Sequence, residues 1–411
     1  MGGLIVSIDI GTSKICAVVG RLGKNSSLDI IGKGMVPCNG LKKGMIVDID
    51  SVAASIRAAV DEAEASANIK VGSAFVNIHG MHVNVINNKS WVSISNTNRE
   101  ITKKDVESLL YSVRDIEIPD DRQFIDVIPR QFIIDGYDEI LDPTGMVGTR
   151  LEIDADIIAG KITSVQNIIK SLERAGVRID GIVAEAFASG EIVLTAEEKD
   201  IGVIMLDIGG GVTDISVFQG KRLVFYDSIP VGGDHITNDI SIGLKISNAE
   251  SEKIKRQYEL ALASLIKNDQ EISVFDINEN KKKNVKISEV VEIIEARVFE
   301  IFSLCRNQAV KAGVFNNLAG GVVLTGAGIS YVDGCKQLAQ EVFELPVRVA
   351  ALNHLGITKP EYITAAGIIK YIASIRKGSS SAIENKLQNP RIARKKTGIL
   401  SKIVNIIKEF F

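Results

Sequence analysis

The stretch Val203-Ile204-Met205-Leu206-Asp207-Ile208-Gly209-Gly210-Gly211-Val212-Thr213-Asp214 decides the fold, because the chain carries its plan twice. The earlier copy is Leu4-Ile5-Val6-Ser7-Ile8-Asp9-Ile10-Gly11-Thr12-Ser13-Lys14. Each is a buried-type strand, then an aspartate, then a turn of glycines and hydroxyls. A second strand follows, Ala17-Val18-Val19 in one copy and Ile215-Ser216-Val217-Phe218 in the other. Glycine lets backbone N–H groups close around an anion with no Cβ in the way. The hydroxyls and Lys14 add donors and positive charge. Asp9 and Asp207 suit a hydrated Mg²⁺, which takes a few carboxylates, waters and phosphate oxygens. One copy alone reads equally well as an ordinary β-hairpin. Two copies in matched order, at domain-scale separation, point to a nucleoside triphosphate clamped between two domains.

The 411 residues suit two or three domains with ample core. A composition 45% hydrophobic, 24% charged and 5% aromatic fits a soluble α/β protein. Cys16, Cys38, Cys305 and Cys335 are widely spaced, which excludes a zinc knuckle or a CxxC redox pair and fits a reducing cytosol. The chain enters a strand at Leu4, so no signal peptide is expected, and no apolar run approaches bilayer-spanning length. Charge is partitioned. Residues 376–411 hold nine Lys or Arg against two Glu, a surplus of seven positive charges, which leaves the first 375 residues at −10 within a net charge of −3.

Along the chain, residues 51–67 have helical spacing with Asp50 or Ser51 as N-cap. Residues 71–79 read as a strand. From 83 to 161 the pattern changes to strands at 83–85, 91–94, 124–129 and 131–135 around one amphipathic helix, 103–113. This reads as a small α+β insertion. Helices are expected at 164–175, 248–266, 288–312 and 362–373, with a polar loop at 267–286. Gly326-Ala327-Gly328 ends another buried strand and offers a flat backbone surface for a base or ribose. Glu250 and Lys253, i and i+3 on one helix, share a face. They read as nucleoside contacts or as a solvated pair.

The last thirteen residues are amphipathic. Ile399, Leu400, Ile403, Val404, Ile406, Ile407, Phe410 and Phe411 fall on one helical face, with Ser401, Lys402, Asn405, Lys408 and Glu409 on the other. A helix of that length is about 20 Å long, too short to cross a hydrocarbon core of roughly 30 Å. It suits an interfacial position with its lysines toward anionic headgroups. Arg391, Arg394, Lys395 and Lys396 precede it and add attraction to such a surface. The alternative is a helix docked on the protein's own core, against which the preceding polar linker argues.

The motif order resembles the actin superfamily and, within it, the FtsA family of bacterial division proteins. The resemblance spans essentially the whole chain. It rests on Asp9 to Lys14, Val127-Ile128-Pro129, the run from Asp142 to Leu151, Leu206 to Asp214, Ile229 to Gly233, Val323 to Gly328 and the apolar tail. It implies an α/β, actin-like two-lobed ATPase fold with a small α+β insertion and a C-terminal amphipathic helix. Residues 1–82, 162–195 and about 355–375 would form the first lobe, with 83–161 as the insertion. Residues 196–230 and 305–354 would form the second lobe and 231–304 its smaller subdomain. Residues 376–398 would be a linker and 399–411 a membrane-targeting helix.

The resemblance also implies roles. Gly11, Thr12, Ser13, Lys14, Gly209, Gly210, Gly211 and Thr213 would meet the phosphates of ATP. Asp9 and Asp207 would organise Mg²⁺, mostly through water. Glu250, Lys253, Gly326, Ala327 and Gly328 would hold the nucleoside. Glu185 either polarises the attacking water or caps the helix near Ala186. Arg297 and Glu300 fall where the family contacts FtsZ. The implied partners are FtsZ, the chain itself, later division proteins through the insertion, and an anionic membrane surface at the cytoplasmic face of the division site.

Three competing readings are a PilM-like pilus-assembly adaptor, a small-molecule kinase and a chaperone. The tail argues against the first. The second lacks a recognisable substrate base, and the third lacks a substrate domain. Nucleic-acid binding is not expected from an acidic body whose basic run adjoins an apolar helix.

Overall fold

The two repeats found in the sequence are the centres of two five-stranded sheets with one topology. The computed structural model describes residues 3–23, 27–329, 331–350 and 359–378. In the first sheet, Ile5–Ile10 pairs antiparallel with Lys14–Leu22, which pairs antiparallel with Leu28–Pro37. On its other side Ile5–Ile10 runs parallel to Ser73–Ile78, which runs parallel to Arg178–Ala184. In the second sheet, Val203–Ile208 is followed on one side by Thr213–Gln219 and then Arg222–Ile229, each antiparallel to the strand before it. On the other side lie Val322–Thr325 and Val347–Val349, both parallel. Each sheet therefore reads third, second, first, fourth, fifth in chain order. The registers also coincide: Asp9 lies opposite Cys16 and Asp207 opposite Asp214.

Parallel neighbours require crossover connections, usually helical. In the first sheet these are Ile49–Ala67 and Ile162–Arg174; in the second, Gly233–Leu244, Asn248–Tyr258, Ile287–Lys311 and Cys335–Phe343. The central strands are covered on both faces, so Val203–Ile208 is buried at every residue and reads as a continuous apolar run. The first sheet packs one face on Ile49–Ala67 and Ile162–Arg174 and the other on Glu185–Val193 and Ile363–Gly378. The helix Ile49–Ala67 buries Val52, Ile56, Val60 and Ala63 at helical spacing. Its N-cap is Asp48, whose carboxylate accepts the Ser51 N–H, rather than Asp50 or Ser51.

The insertion is a four-stranded antiparallel sheet ordered Val83–Ser93, Arg150–Lys161, Arg122–Ile134, Tyr137–Ile140, with the helix Lys103–Ser112 against it. It has a core of its own around Leu109, Leu151, Ile153 and Ile157. Two strands expected at 124–129 and 131–135 are one strand. It passes through Pro129, and the register slips there, so that Asp154 faces Gln131 and Ala155 faces Pro129. The bulge absorbs the proline, which has no N–H for the ladder.

Two further expectations are corrected. The polar loop at 267–286 is a hairpin, Glu271–Asp276 with Lys281–Lys286, that tucks Val274 and Val285 into the second core and pairs Lys283 with the buried Asp276 at 2.9 Å. Its inward residues are too few to stand out among the lysines. The helix expected to reach Ile266 ends at Tyr258. The amphipathic segment at 399–411 and most of the linker at 376–398 lie outside the described residues. Among those described, no helix is long and apolar enough to cross a membrane.

Candidate functional site

Both glycine turns close in the same way. Gly11 N–H donates to Lys14 O at 3.0 Å, and Gly209 N–H donates to Val212 O at 2.9 Å. The turns meet face to face. A Cβ on Gly210 would lie 1.8 Å from Ser13 Oγ, and one on Gly211 would lie 2.6 Å from Thr12 Cγ2, so a larger residue at either position would force the hairpins apart. The segment after Ile229 closes over the second turn. Gly233 N–H donates to Gly209 O at 2.9 Å and Asp234 N–H to Gly210 O at 2.8 Å. The Gly326-Ala327-Gly328 turn packs on the same backbone, with Gly328 N–H donating to Ile208 O at 2.7 Å. A Cβ on Gly328 would lie 2.4 Å from Gly209 O. Backbone thus stacks on backbone at the ends of the central strands, where open α/β sheets bind ligands.

Beneath the turns lies a buried carboxylate cluster. Asp9 accepts from Asn77 Nδ2 at 2.8 Å, and the same nitrogen donates to Glu185 Oε2 at 3.0 Å. Asp207 accepts from Ser189 Oγ at 2.9 Å. Asp214 accepts from Gly80 N–H at 2.8 Å and Ser228 Oγ at 2.6 Å. His79 Nδ1 lies 2.9 Å from both Asp214 Oδ2 and Glu185 Oε2. Burial, followed by the charge of Glu185, pushes Asp9 up to about 7. Burial, followed by Asp214, pushes Asp207 up to about 6. Glu185 is raised mainly by burial. For Asp214 burial is outweighed by the charge of His79 and by its hydrogen bonds, which hold it low.

Burial is the leading cause that disfavours the ionised forms of Asp9, Glu185 and Asp207, and neighbouring carboxylates add to it. A divalent cation fits the donor set, because Asp9 and Asp207 are hard oxygen ligands beside hydroxyls and a glycine-lined surface.

The structure brings Asp9, Gly11, Thr12, Ser13, Glu185, Asp207, the Gly209–Gly211 turn and the Gly326–Gly328 turn to one cleft floor. Other sequence-predicted residues point elsewhere. Lys14 Nζ donates to Glu361 O at 2.8 Å, and Thr213 Oγ1 donates to Val231 O at 2.8 Å. Glu250 accepts the Phe275 N–H at 3.3 Å, and Lys253 is exposed. Their helix turns Glu252 and Lys255 toward Gly233 and Thr237 instead. Lys255 Nζ donates to Gly233 O at 3.0 Å and to Thr237 Oγ1 at 2.7 Å, and lies 2.7 Å from Glu252. Arg297 forks onto Asp239 at 2.5 and 3.0 Å and pairs with Glu300 along its own helix. Glu185 is the first residue of the helix Glu185–Val193, with its side chain turned into the carboxylate cluster.

Sequence reasoning did not single out Asn77, His79, Ser189, Glu252 or Lys255. One signal was available for Asn77, a polar residue inside the apolar run Ala74 to Ile78. His79 follows that strand with no motif around it.

Two lobes of identical topology with glycine turns opposed across a cleft define the actin-like fold. Solved structures agree at the level of fold. The PilM-PilN type IV pilus biogenesis complex matches with a TM-score of 0.59 at 16% identity, covering 90% of this chain and 98% of that one. MreB5 of Spiroplasma citri bound to AMPPNP matches with a TM-score of 0.53 at 16% identity, covering 92% and 98%.

Sequence comparison narrows the class. The family model for cell division protein FtsA matches residues 204–367, and the model for the SHS2 domain inserted in FtsA matches 80–159. Cell division protein FtsA of Bacillus subtilis strain 168 is 41% identical over 368 residues, 90% of this chain and 83% of that protein. That of Escherichia coli K12 is 31% identical over 396 residues, 93% and 94%. The chain belongs to the FtsA family of cell division proteins.

Proposed function

We propose that the chain binds Mg-ATP between its two sheets, self-associates, and ties FtsZ to the inner face of the cytoplasmic membrane at the division site, where its insertion recruits later division proteins. The observation that carries the nucleotide part is the opposition of the two glycine turns above buried Asp9 and Asp207. Thr12, Ser13, Lys14, Gly210 and Gly211 serve the phosphates, with Lys14 swinging from the Glu361 carbonyl. Asp9 and Asp207 hold Mg²⁺ largely through water, and the ion supplies charge neutralisation to the phosphates. Gly326–Gly328 underlies the nucleoside. Glu252 and Lys255 flank it in the role first expected of Glu250 and Lys253. Glu185 meets the attacking water, giving a weak or regulated ATPase. Family membership supports the division role, with the surface around Glu300 and Arg297 as the FtsZ contact and residues 399–411 as the membrane anchor.

Titration of a fluorescent ATP analogue with Mg²⁺ tests the clamp. Asp207→Ala is expected to weaken binding by about ten- to a hundredfold, since it removes a buried carboxylate that would hold the ion through water. Unchanged affinity sinks the clamp model.

A further inference from the structure

His79 stands where the chain leaves the first sheet for the insertion, and the residues beside it are fastened to the second lobe. Gly80 N–H donates to Asp214 Oδ1 at 2.8 Å, Met81 N–H to Ser228 Oγ at 2.9 Å, and Tyr226 Oη to Ile78 O at 3.2 Å. The backbone at Gly80 sits so close that a Cβ there would lie 2.8 Å from the Asp227 carbonyl. The imidazole itself spans the lobes through one atom. Nδ1 lies 2.9 Å from Glu185 Oε2 in the first lobe and 2.9 Å from Asp214 Oδ2 in the second. Nε2 is buried and has no hydrogen-bond partner among the described residues. The ring's orientation therefore depends on those two carboxylates.

Glu185 is held unevenly. Its Oε2 takes His79 and Asn77, whereas Oε1 meets Thr364 Oγ1 at 3.4 Å. Asn77 is fixed in turn by the Ile10 N–H at 2.8 Å and by Asp9. Since Oε1 has only the long contact with Thr364, the orientation of the carboxylate is set mainly by what grips Oε2.

We propose that His79 is a positioning residue acting through Glu185: contact with Asp214 of the second lobe sets the imidazole, and the imidazole sets the carboxylate. Glu185 is then correctly aimed when the lobes are together, which couples hydrolytic competence to lobe closure. The inference rests on the reading of this cleft as an ATP site with Glu185 facing water. Ångström-level misplacement of such a group costs orders of magnitude in rate. The charge balance agrees. Burial disfavours a charged ring, but Glu185 and Asp214 outweigh it and raise the His79 pKa well above the ordinary imidazole value.

The test uses the full chain and four variants: His79→Ala, His79→Asn, Glu185→Gln and the double variant His79→Ala with Glu185→Gln. Asparagine puts an N–H near the position of Nδ1. Binding of a fluorescent ATP analogue and single-turnover hydrolysis are read separately. We expect all variants to bind within about threefold of wild type. His79→Ala should hydrolyse about tenfold or more slowly, and His79→Asn should recover most of that loss. The double variant should be no slower than Glu185→Gln alone, because the histidine acts through the glutamate. Wild-type hydrolysis by His79→Ala overturns the proposal, as does a double variant slower by the full His79 factor. A wild-type chain that binds ATP but turns it over no faster than Glu185→Gln overturns it too. Absence of binding by the wild-type chain overturns the ATP reading itself, and the inference falls with it.

Discussion

Ser13 Oγ donates to Asp234 Oδ2 at 2.6 Å, joining the first glycine turn to the start of a helix 221 residues later. The bond crosses the cleft between lobes. It sits directly over Gly210, whose absent side chain makes the approach possible.

Gly210→Ala should therefore act as a wedge. The new methyl would meet Ser13 Oγ at 1.8 Å and Asp234 Oδ2 at 2.9 Å unless the turns separate. Overpacking of this kind costs about 1–3 kcal/mol. ATP affinity is expected to fall by roughly tenfold or more, the binding equivalent of that cost, while circular dichroism stays native. Isothermal titration with Mg-ATP reads the outcome, and native affinity would show that the turns do not need to touch.

The nucleoside assignment separates two lysines two residues apart. Lys255 is buried against Gly233, and Lys253 is exposed. Lys255→Met is expected to weaken ATP binding by about tenfold, the loss of one charge-assisted contact; Lys253→Met should change it less than about twofold, as exposed charges do. The reverse order would return the role to the Glu250–Lys253 face.

Glu64 offers a pH test away from the cleft. Its buried carboxylate accepts from Lys70 Nζ at 2.6 Å and from Val71 N–H at 2.8 Å, and Arg57 lies 3.3 Å away. The hydrogen bonds from Lys70 and Val71 lead in pulling its pKa from 4.5 to about 2. A depressed carboxylate stabilises the fold above its unfolded pKa, and that stability is lost as pH falls toward the folded value. Glu64→Gln should cost about 1.5–3 kcal/mol at pH 7. The gap between variant and wild type should close between pH 4.5 and about 2 in urea melts. A gap independent of pH would assign the loss to packing.

The tail is tested by co-sedimentation with anionic vesicles in Mg-ATP, comparing the full chain with one ending at Lys377. Selective pelleting of the full chain is the expected result, because about one kilocalorie per mole accrues for each basic residue near such a surface. If both chains stay in the supernatant, residues 399–411 do not anchor the protein.

Much of the fold was legible because its signals are local. A strand buried on both faces must be apolar throughout, so Val203 to Ile208 announces itself. A turn that admits a second backbone must be glycine, so Gly209 to Gly211 does the same. Repetition of that pattern at Asp9 and Asp207 marks two lobes. The hairpin at 271–286 was hidden by its own lysines, since only Val274 and Val285 point inward strongly enough to mark it.

By itself, then, the sequence determined the two matched strand–turn–strand units, the insertion between them and the family. Tertiary structure decided which side chains reach the cleft. Helical spacing says that Glu250 and Lys253 share a face but not which face looks inward, and the docking of Asn248–Tyr258 on Gly233 turns Lys255, with Glu252 beside it, inward. The bridge from His79 to Glu185 and Asp214 joins residues more than a hundred positions apart in one case and 135 in the other. No local pattern encodes such a bridge; it exists because the two sheets meet in the folded chain.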